Sequence, residues 1–194
     1  QSRSSAASDV YKRQIMLPGR MTEWKGHLLL LKAFEQVSQQ TEKKLELLMV
    51  GPDDNTSLKK RLTTFLHEKD IEGNVHFISA RNDINNFYSI ADIVVSPSTD
   101  PEAFGRISVE AQAMGKFVIA SNHGGSTETI INNETGYLFN NADENDLSAK
   151  ILKAINEDKH CSEIVRKACI TNVQKNLSLI NISEPTRPRL RSYD

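Results

Sequence analysis

Residues 93–120, IVVSPSTDPEAFGRISVEAQAMGKFVIA, contain two short apolar segments separated by a loop and a helical pattern. Neither Ile93–Ser96 nor residues 117–120 alternates apolar with polar side chains, which is typical of strands that are buried on both faces. The loop after the first segment carries two prolines and a glycine, and residues 105–115 then follow a helical pattern. This order predicts two parallel strands connected by a helix.

The same alternation continues through the rest of the chain. Strands are also predicted at residues 15–18, 45–50, 75–78 and 137–139, and helices at residues 26–40, 57–69, 83–91, 125–132, 143–157 and 160–176. The predicted fold class is α/β, a doubly wound, Rossmann-like parallel sheet of about six strands with helices on both faces. Such sheets bind ligands beyond the carboxyl ends of their strands, so the loops there are the expected place for a site.

The composition excludes several other classes of protein. The 194 residues include 24 Lys and Arg against 25 Asp and Glu, a net charge of −1, which argues against a nucleic-acid partner. The longest aliphatic run, residues 28–31, is far shorter than the roughly 18 residues of a transmembrane segment. Residues 1–14 lack the apolar segment of a signal peptide.

The two cysteines indicate a reducing compartment. Cys161 and Cys169 lie eight positions apart in a predicted helix, which is too far for a disulfide. Unpaired thiols are typical of a cytoplasmic protein, and no Cys or His spacing suggests structural zinc. We therefore expect a cytoplasmic location.

Both ends of the chain differ in composition from its middle. Residues 1–14 lack apolar periodicity, and residues 180–194 contain two prolines and three arginines. We predict one folded domain, residues 15–179, between two flanks that are either non-native sequence or genuine disordered tails.

The loop between residues 97 and 105 carries the first candidate site residues. Gly105 stands at the predicted start of a helix, where free N–H groups and the helix dipole favour a phosphate or carboxylate. Glu102 in the loop and Glu110 inside the helix could accept hydrogen bonds from hydroxyl groups on two parts of one ligand. The alternative is that both are solvated charges near a helix start.

Two further loops follow predicted strands. Arg20 and Lys25 lie five residues apart and can converge on one pyrophosphate, although a plain surface turn is the alternative.

In the third loop, Gly124 and Gly125 are expected to let backbone face a ligand, and Ser126 is the predicted N-cap of the next helix. Glu128 is placed in that helix's first turn. His123 beside them is either an acid–base residue or simply exposed.

Together these motifs resemble the donor-binding half of retaining glycosyltransferases of the GT-B type, glycosyltransferase family 4, over residues 15–179. The pattern Glu102-x7-Glu110 with its internal Phe104-Gly105 is the most specific carrier. The other carriers are Gly19-Arg20, Trp24-Lys25-Gly26, Ala91-Asp92-Ile93, Pro97-Ser98, Met114-Gly115 and Gly124-Gly125 with Glu128.

The resemblance implies a role for each matching residue. Arg20 and Lys25 would hold the donor diphosphate, Glu110 the ribose hydroxyls, and Glu102 the transferred sugar near the reacting carbon. Arg20, Lys25 and Glu102 would be the catalytic residues. Ser79 and Arg81 would lie near the base, and the remaining donor-binding positions would be Gly19, Phe104, Gly105, Arg106 and Ile107.

The same resemblance implies a nucleotide sugar as donor substrate, no cofactor and no metal. Asp53 and Asp54 are accordingly interpreted as turn and helix-cap residues. An N-terminal acceptor-binding lobe would be missing, so the chain alone would be inactive, and any membrane association of the full-length parent would be peripheral. A nucleotide-sugar-binding module or an epimerase-like domain without transferase activity is the alternative.

Overall fold

The structure, a computed structural model, describes residues 12–159 and 162–183, and for residues 176–183 it describes the backbone alone. Six strands form one parallel sheet in the order β3-β2-β1-β4-β5-β6. The strands are β1 Arg13–Pro18, β2 Leu45–Val50, β3 Val75–Ile78, β4 Ile93–Ser96, β5 Phe117–Ser121 and β6 Gly136–Phe139. The predicted doubly wound fold class is confirmed.

Helices cover both faces of this sheet. They are α1 His27–Gln40, α2 Thr56–Lys69, α3 Ile84–Ile90, α4 Arg106–Ala113, α5 Ser126–Thr129, α6 Glu144–Asn156 and α7 Glu163–Ser183. Short 3-10 helices at Glu23–Lys25 and Glu72–Asn74 were not predicted from the sequence.

The apolar strands supply two separate cores. Alternate residues of β1 point to opposite sides, so Ile15 and Leu17 pack with α1, α2 and α6, whereas Met16 packs with α3 and α4. Every residue of β2, β4 and β5 is buried. This explains why their sequences lack polar alternation, because a side chain on either face must enter a core.

The domain boundaries differ slightly from the prediction. Strand β1 starts at Arg13, two residues before the predicted start of the domain, and Arg13 pairs with Leu45. The next residue is also fixed, because the Gln14 amide donates to the Asp92 carboxylate at 2.7 Å. At the other end, α7 continues to Ser183, beyond the predicted limit of 179. Residues 13–14 and 180–183 therefore belong to regular secondary structure.

The start of α5 differs from the prediction. The N-cap of α5 is Gly125 and not Ser126, and no side chain caps this four-residue helix, although Glu128 does lie in its first turn.

Cys169 is buried and forms no disulfide, and burial raises the pKa of its thiol to about 12. The predicted separation of the two cysteines involves Cys161, which lies outside the described residues.

One buried histidine makes the stability of this fold depend on pH. His27 begins α1 with only 2% of its surface exposed, and burial lowers its pKa from 6.5 to about 4. The unfolded chain therefore takes up a proton below pH 6.5 that the folded chain does not bind until about pH 4. Protonation of His27 therefore leaves the free energy of unfolding unchanged above pH 6.5 and lowers it as the pH falls from 6.5 towards 4.

We expect the free energy of unfolding to fall by about 2 kcal/mol between pH 7 and pH 5 through His27 alone. Urea unfolding at a series of pH values measures this, and His27→Gln should flatten the profile. An equal slope in wild type and His27→Gln would contradict the prediction.

Candidate functional site

A cleft of about 530 Å³ opens at the carboxyl edge of the sheet, where the loops after β1 and β4 diverge. This is the point at which the strand order reverses, the usual ligand-binding position in doubly wound sheets. The cleft is lined by Pro18, Gly19, Arg20, Trp24, Lys25, Ile84, Pro101, Glu102, Ala103, Phe104, Gly105, Arg106, Ile107 and Glu110. All but two of the catalytic and donor-binding residues that the family resemblance implies are in this set.

The two exceptions are Ser79 and Arg81. Both follow the edge strand β3, which lies two strands away from β1 in the sheet, and both are exposed. The Arg81 guanidinium pairs with the Asp83 carboxylate at 2.6 and 3.0 Å. The structure therefore does not bring these two residues into the cleft, although Ile84 from the following helix reaches it.

Both predicted cations line the cleft, but each is paired with a carboxylate. Arg20 contacts Asp54 at 2.6 Å, and both side chains are more than half exposed. Lys25 contacts Glu102 at 2.8 Å, and here the side chains are only 13% and 14% exposed. Lys25 also lies over the ring of Trp24, with its Nζ 4.3 Å from the ring centroid. The solvent-exposed Arg20 pair is weak and readily exchanged, whereas the Lys25 pair is shielded.

The Glu102 carboxylate accepts a second hydrogen bond, from the hydroxyl of the buried Ser98. Sequence analysis placed Glu102 and Lys25 on different parts of a ligand, yet in this structure they contact each other. The signal that they could pair was their opposite charge on neighbouring loops, but sequence spacing of 77 residues gives no distance.

Helix α4 begins at the cleft with Gly105 in the left-handed region, at φ +66°. The first backbone bond of the helix runs from the Val109 amide to the Gly105 carbonyl. The amides of residues 106–108 precede it and are therefore free of intrahelical partners. The helix dipole favours an anion at this position, and binding of a phosphate there stays a prediction.

Glu110 is held at the inner end of the cleft by two donors. The hydroxyl of the buried Tyr88 donates to Oε2, and the Arg106 guanidinium donates to Oε1, both at 3.1 Å. Burial and the Glu110 charge raise the pKa of Tyr88 well above its usual value, so the phenol remains a donor. Sequence analysis did not identify Tyr88. An aromatic residue in a helix has the same sequence pattern whether it only packs in the core or also donates a hydrogen bond to a residue of the cleft.

The Gly124-Gly125 pair has a different role from the one predicted. A Cβ on Gly125 would lie 2.4 Å from the Phe104 carbonyl carbon, and one on Gly124 would lie 2.6 Å from the Glu102 carbonyl oxygen. The Gly125 amide donates to that same oxygen at 2.7 Å. These glycines therefore face the loop that carries Glu102 and hold it in place, and they do not face the cleft.

The remaining predictions concern polar groups near the cleft. His123 is half-buried, and its Nε2 contacts the Ser98 carbonyl at 3.0 Å. Asn55, and not either aspartate before it, caps α2 by accepting from the Leu58 amide. Asp53 instead pairs with Lys59, whose hydrogen bond lowers the pKa of that carboxyl.

The described residues lack two further features. Across residues 12–159 and 162–183, no group of three or more His, Cys, Asp or Glu side chains is arranged to hold a metal ion. In that same part of the chain, none of the helices has the length and apolar character needed to cross a bilayer.

Comparison with known proteins agrees with the architecture of the cleft. The family described as "Glycosyl transferases group 1" matches residues 1–171. Lipopolysaccharide 1,2-N-acetylglucosaminetransferase of Salmonella typhimurium is 31% identical over 160 residues, which are 79% of this chain and 42% of that protein.

Solved structures give the same result. A glycosyltransferase from Rickettsia africae is 34% identical with a TM-score of 0.73, over 88% of this chain and 47% of that one. Anabaena HepE in complex with UDP is 25% identical with a TM-score of 0.73, over 88% of this chain and 49% of that one.

These matches define a Rossmann-like domain of the GT-B type. The chain belongs to the group 1 glycosyltransferases. It spans about two fifths of the length of the curated relatives that it matches, and it corresponds to their C-terminal half.

The close contact at Gly125 gives a prediction. The φ of Gly125 is −61°, which any residue adopts, so Gly125→Ala adds steric conflict without backbone strain. We expect a loss of about 1–3 kcal/mol in unfolding free energy, because the new methyl group must displace the Glu102 loop.

Denaturant unfolding measures this loss. Gly73→Ala is the matched control, since a Cβ there meets nothing within 4 Å. Equal stability of the two variants would show that the glycine contact is unimportant.

Proposed function

We propose that this chain is the donor-binding domain of a retaining glycosyltransferase, which transfers a hexosyl unit from a nucleoside diphosphate sugar to an acceptor. The observation that carries the proposal is the convergence of Arg20, Lys25, the α4 N-terminus and two glutamates on one cleft at the strand-order reversal. Cations and free amides suit a diphosphate, and the carboxylates suit the hydroxyls of ribose and sugar.

The cleft offers separate places for the parts of such a donor. Glu110 lies on α4, about one and a half turns beyond Gly105. Glu102 lies before the helix beside Lys25. A ribose at Glu110 and a sugar at Glu102 would leave the diphosphate between them, against the free amides of residues 106–108.

The chemistry of such a transfer is electrostatic. Departure of the nucleoside diphosphate leaves positive charge on the sugar ring and negative charge on the leaving oxygen. Lys25, Arg20 and the α4 amides would stabilise the leaving oxygen, and the Glu102 carboxylate would lie near the positively charged ring. This assignment requires no metal ion.

The relatives support parts of this proposal. The Salmonella relative is named as an N-acetylglucosaminetransferase, and HepE was solved with UDP. We therefore take UDP as the first nucleotide to test. The partial coverage of the relatives supports an acceptor-binding domain outside this chain. The cytoplasmic location and a peripheral association of the full protein with membranes stay predictions.

The first test is binding of the bare nucleotide. We expect UDP, GDP or ADP to bind the chain in the high micromolar to millimolar range, about 4–6 kcal/mol. The binding should be weak because the proposed phosphate and ribose contacts lie in this chain, whereas the proposed acceptor-binding domain lies outside it. Isothermal titration calorimetry with EDTA present should show saturation. No binding of any of the three at millimolar concentration would contradict the proposal.

Replacement of the two glutamates should have different effects on nucleotide binding in the same assay. Glu110→Ala should weaken binding of the nucleotide by about 1.5–3 kcal/mol, because it removes a charged acceptor from the ribose. Glu102→Ala should not weaken it, because this change frees Lys25 for the diphosphate. The exposed Glu134 provides the control variant Glu134→Ala. A similar loss from both cleft variants would contradict the assignment.

A second test concerns turnover. The chain alone should hydrolyse a nucleotide sugar slowly and glycosylate no acceptor, because positioning of the acceptor supplies roughly 7–11 kcal/mol of the barrier. A full-length protein carrying this domain should transfer with retained anomeric configuration, as NMR of the product would show. Lys25→Ala in that protein should lower kcat, because the leaving diphosphate loses a cation. An inverted product would refute the retaining mechanism.

A further inference from the structure

One oxygen of the Glu102 carboxylate receives both of its hydrogen bonds. Lys25 Nζ donates to Oε1 at 2.8 Å, and the Ser98 hydroxyl donates to the same oxygen. Within the described residues, no side chain donates a hydrogen bond to Oε2. The carboxylate is thus fixed at one oxygen and has the other as an unused acceptor at the cleft.

Ser98 is itself held from behind. Only 3% of its surface is exposed, and its carbonyl oxygen accepts from the Ser121 hydroxyl at 2.7 Å and from His123 Nε2 at 3.0 Å. Because a carbonyl oxygen can only accept, the proton in the second contact lies on Nε2. The last residue of β5 and the loop after it therefore fix the backbone of Ser98, and Ser98 fixes Glu102.

The two donors to Glu102 differ in what a ligand would do to them. Lys25 carries a charge that a diphosphate in the cleft would attract, so its contact with Glu102 weakens when a donor binds. Ser98 is neutral, buried and does not line the cleft, so its hydrogen bond is unaffected by the ligand. Ser98 is then the donor that keeps the carboxylate in place.

We propose that Ser98 is a positioning residue that orients the Glu102 carboxylate so that Oε2 accepts a hydroxyl of the donor sugar. The inference rests on the proposed function, because it assumes that a nucleotide sugar occupies the cleft. It adds that recognition of the sugar, as distinct from the nucleotide, depends on a serine that touches no substrate.

A purely structural role for Ser98 would give a different result from a positioning role. Loss of packing would affect nucleotide and nucleotide sugar alike, whereas loss of orientation at Glu102 would affect only the sugar. Ser148 offers a matched control, because it is buried on α6, does not line the cleft, and donates its hydroxyl to the Asn145 carbonyl of its own helix. Ser148→Ala removes the same atom without removing a hydrogen bond to Glu102.

The experiment compares Ser98→Ala, Ser148→Ala and the wild-type chain by calorimetry with UDP, UDP-glucose and UDP-N-acetylglucosamine. We expect Ser98→Ala to bind UDP within twofold of wild type and to bind the preferred nucleotide sugar roughly three- to tenfold more weakly, the effect of one lost hydrogen bond. Ser148→Ala should change neither constant. Equal changes for UDP and nucleotide sugar in Ser98→Ala, or no change, would overturn the proposal.

Crystal structures of the unliganded variants Lys25→Ala and Lys25→Ala/Ser98→Ala supply a measurement that needs no ligand. The Glu102 carboxylate should keep its present position in the first variant, where the Ser98 hydroxyl still donates to it, and should leave that position in the second, where both donors are gone. A carboxylate in the same position in both variants would overturn the positioning role. If the wild type bound no nucleotide at all, the proposed function would fail, and the two crystal structures would still decide whether Ser98 orients Glu102.

Discussion

Burial of the sheet on both of its faces is the constraint on which this structure depends. Helices must cover both sides, so the chain builds outward from β1 through β2 to β3, and then returns to place β4 on the other side of β1. The loops after β1 and β4 consequently leave in opposite directions and open a cleft between them. Arg20, Lys25 and Glu102 all come from these two loops, so the location of the site is a consequence of strand order.

Much of the fold could be predicted because apolar segments report burial directly. The bounds of β2, β3 and β4 are as predicted, and α2 starts one residue early. The first and last residues of helices and strands depend on contacts with distant segments, which the sequence alone does not reveal. Gln14 belongs to β1 because it pairs with Glu46 of β2, and the N-cap of the four-residue helix α5 is Gly125, which packs against Phe104.

The sequence predicted which loops carry the candidate site residues, but it did not predict which side chains contact each other. Gly105, Glu102 and Glu110 could be placed because a strand, a glycine and a helix in that order have one geometry at a sheet edge. The contact of Lys25 with Glu102 and that of Tyr88 with Glu110 arise from tertiary packing across 77 and 22 residues, and no local pattern records them. Ser79 and Arg81 do not line the cleft, which chain order could not reveal because it gives no distance across the sheet.

The loops after β1 and β4 are joined at several points. The Thr99 amide donates to the Trp24 carbonyl at 2.7 Å, a Cβ on Gly26 would lie 2.0 Å from the Pro97 carbonyl oxygen, and Lys25 contacts Glu102. An inserted or deleted residue in one loop would therefore shift the anchors of the other. Sequence variation in these loops is consequently open to side-chain replacement and closed to changes in length, whereas none of these contacts involves the exposed segment 79–82 beside β3.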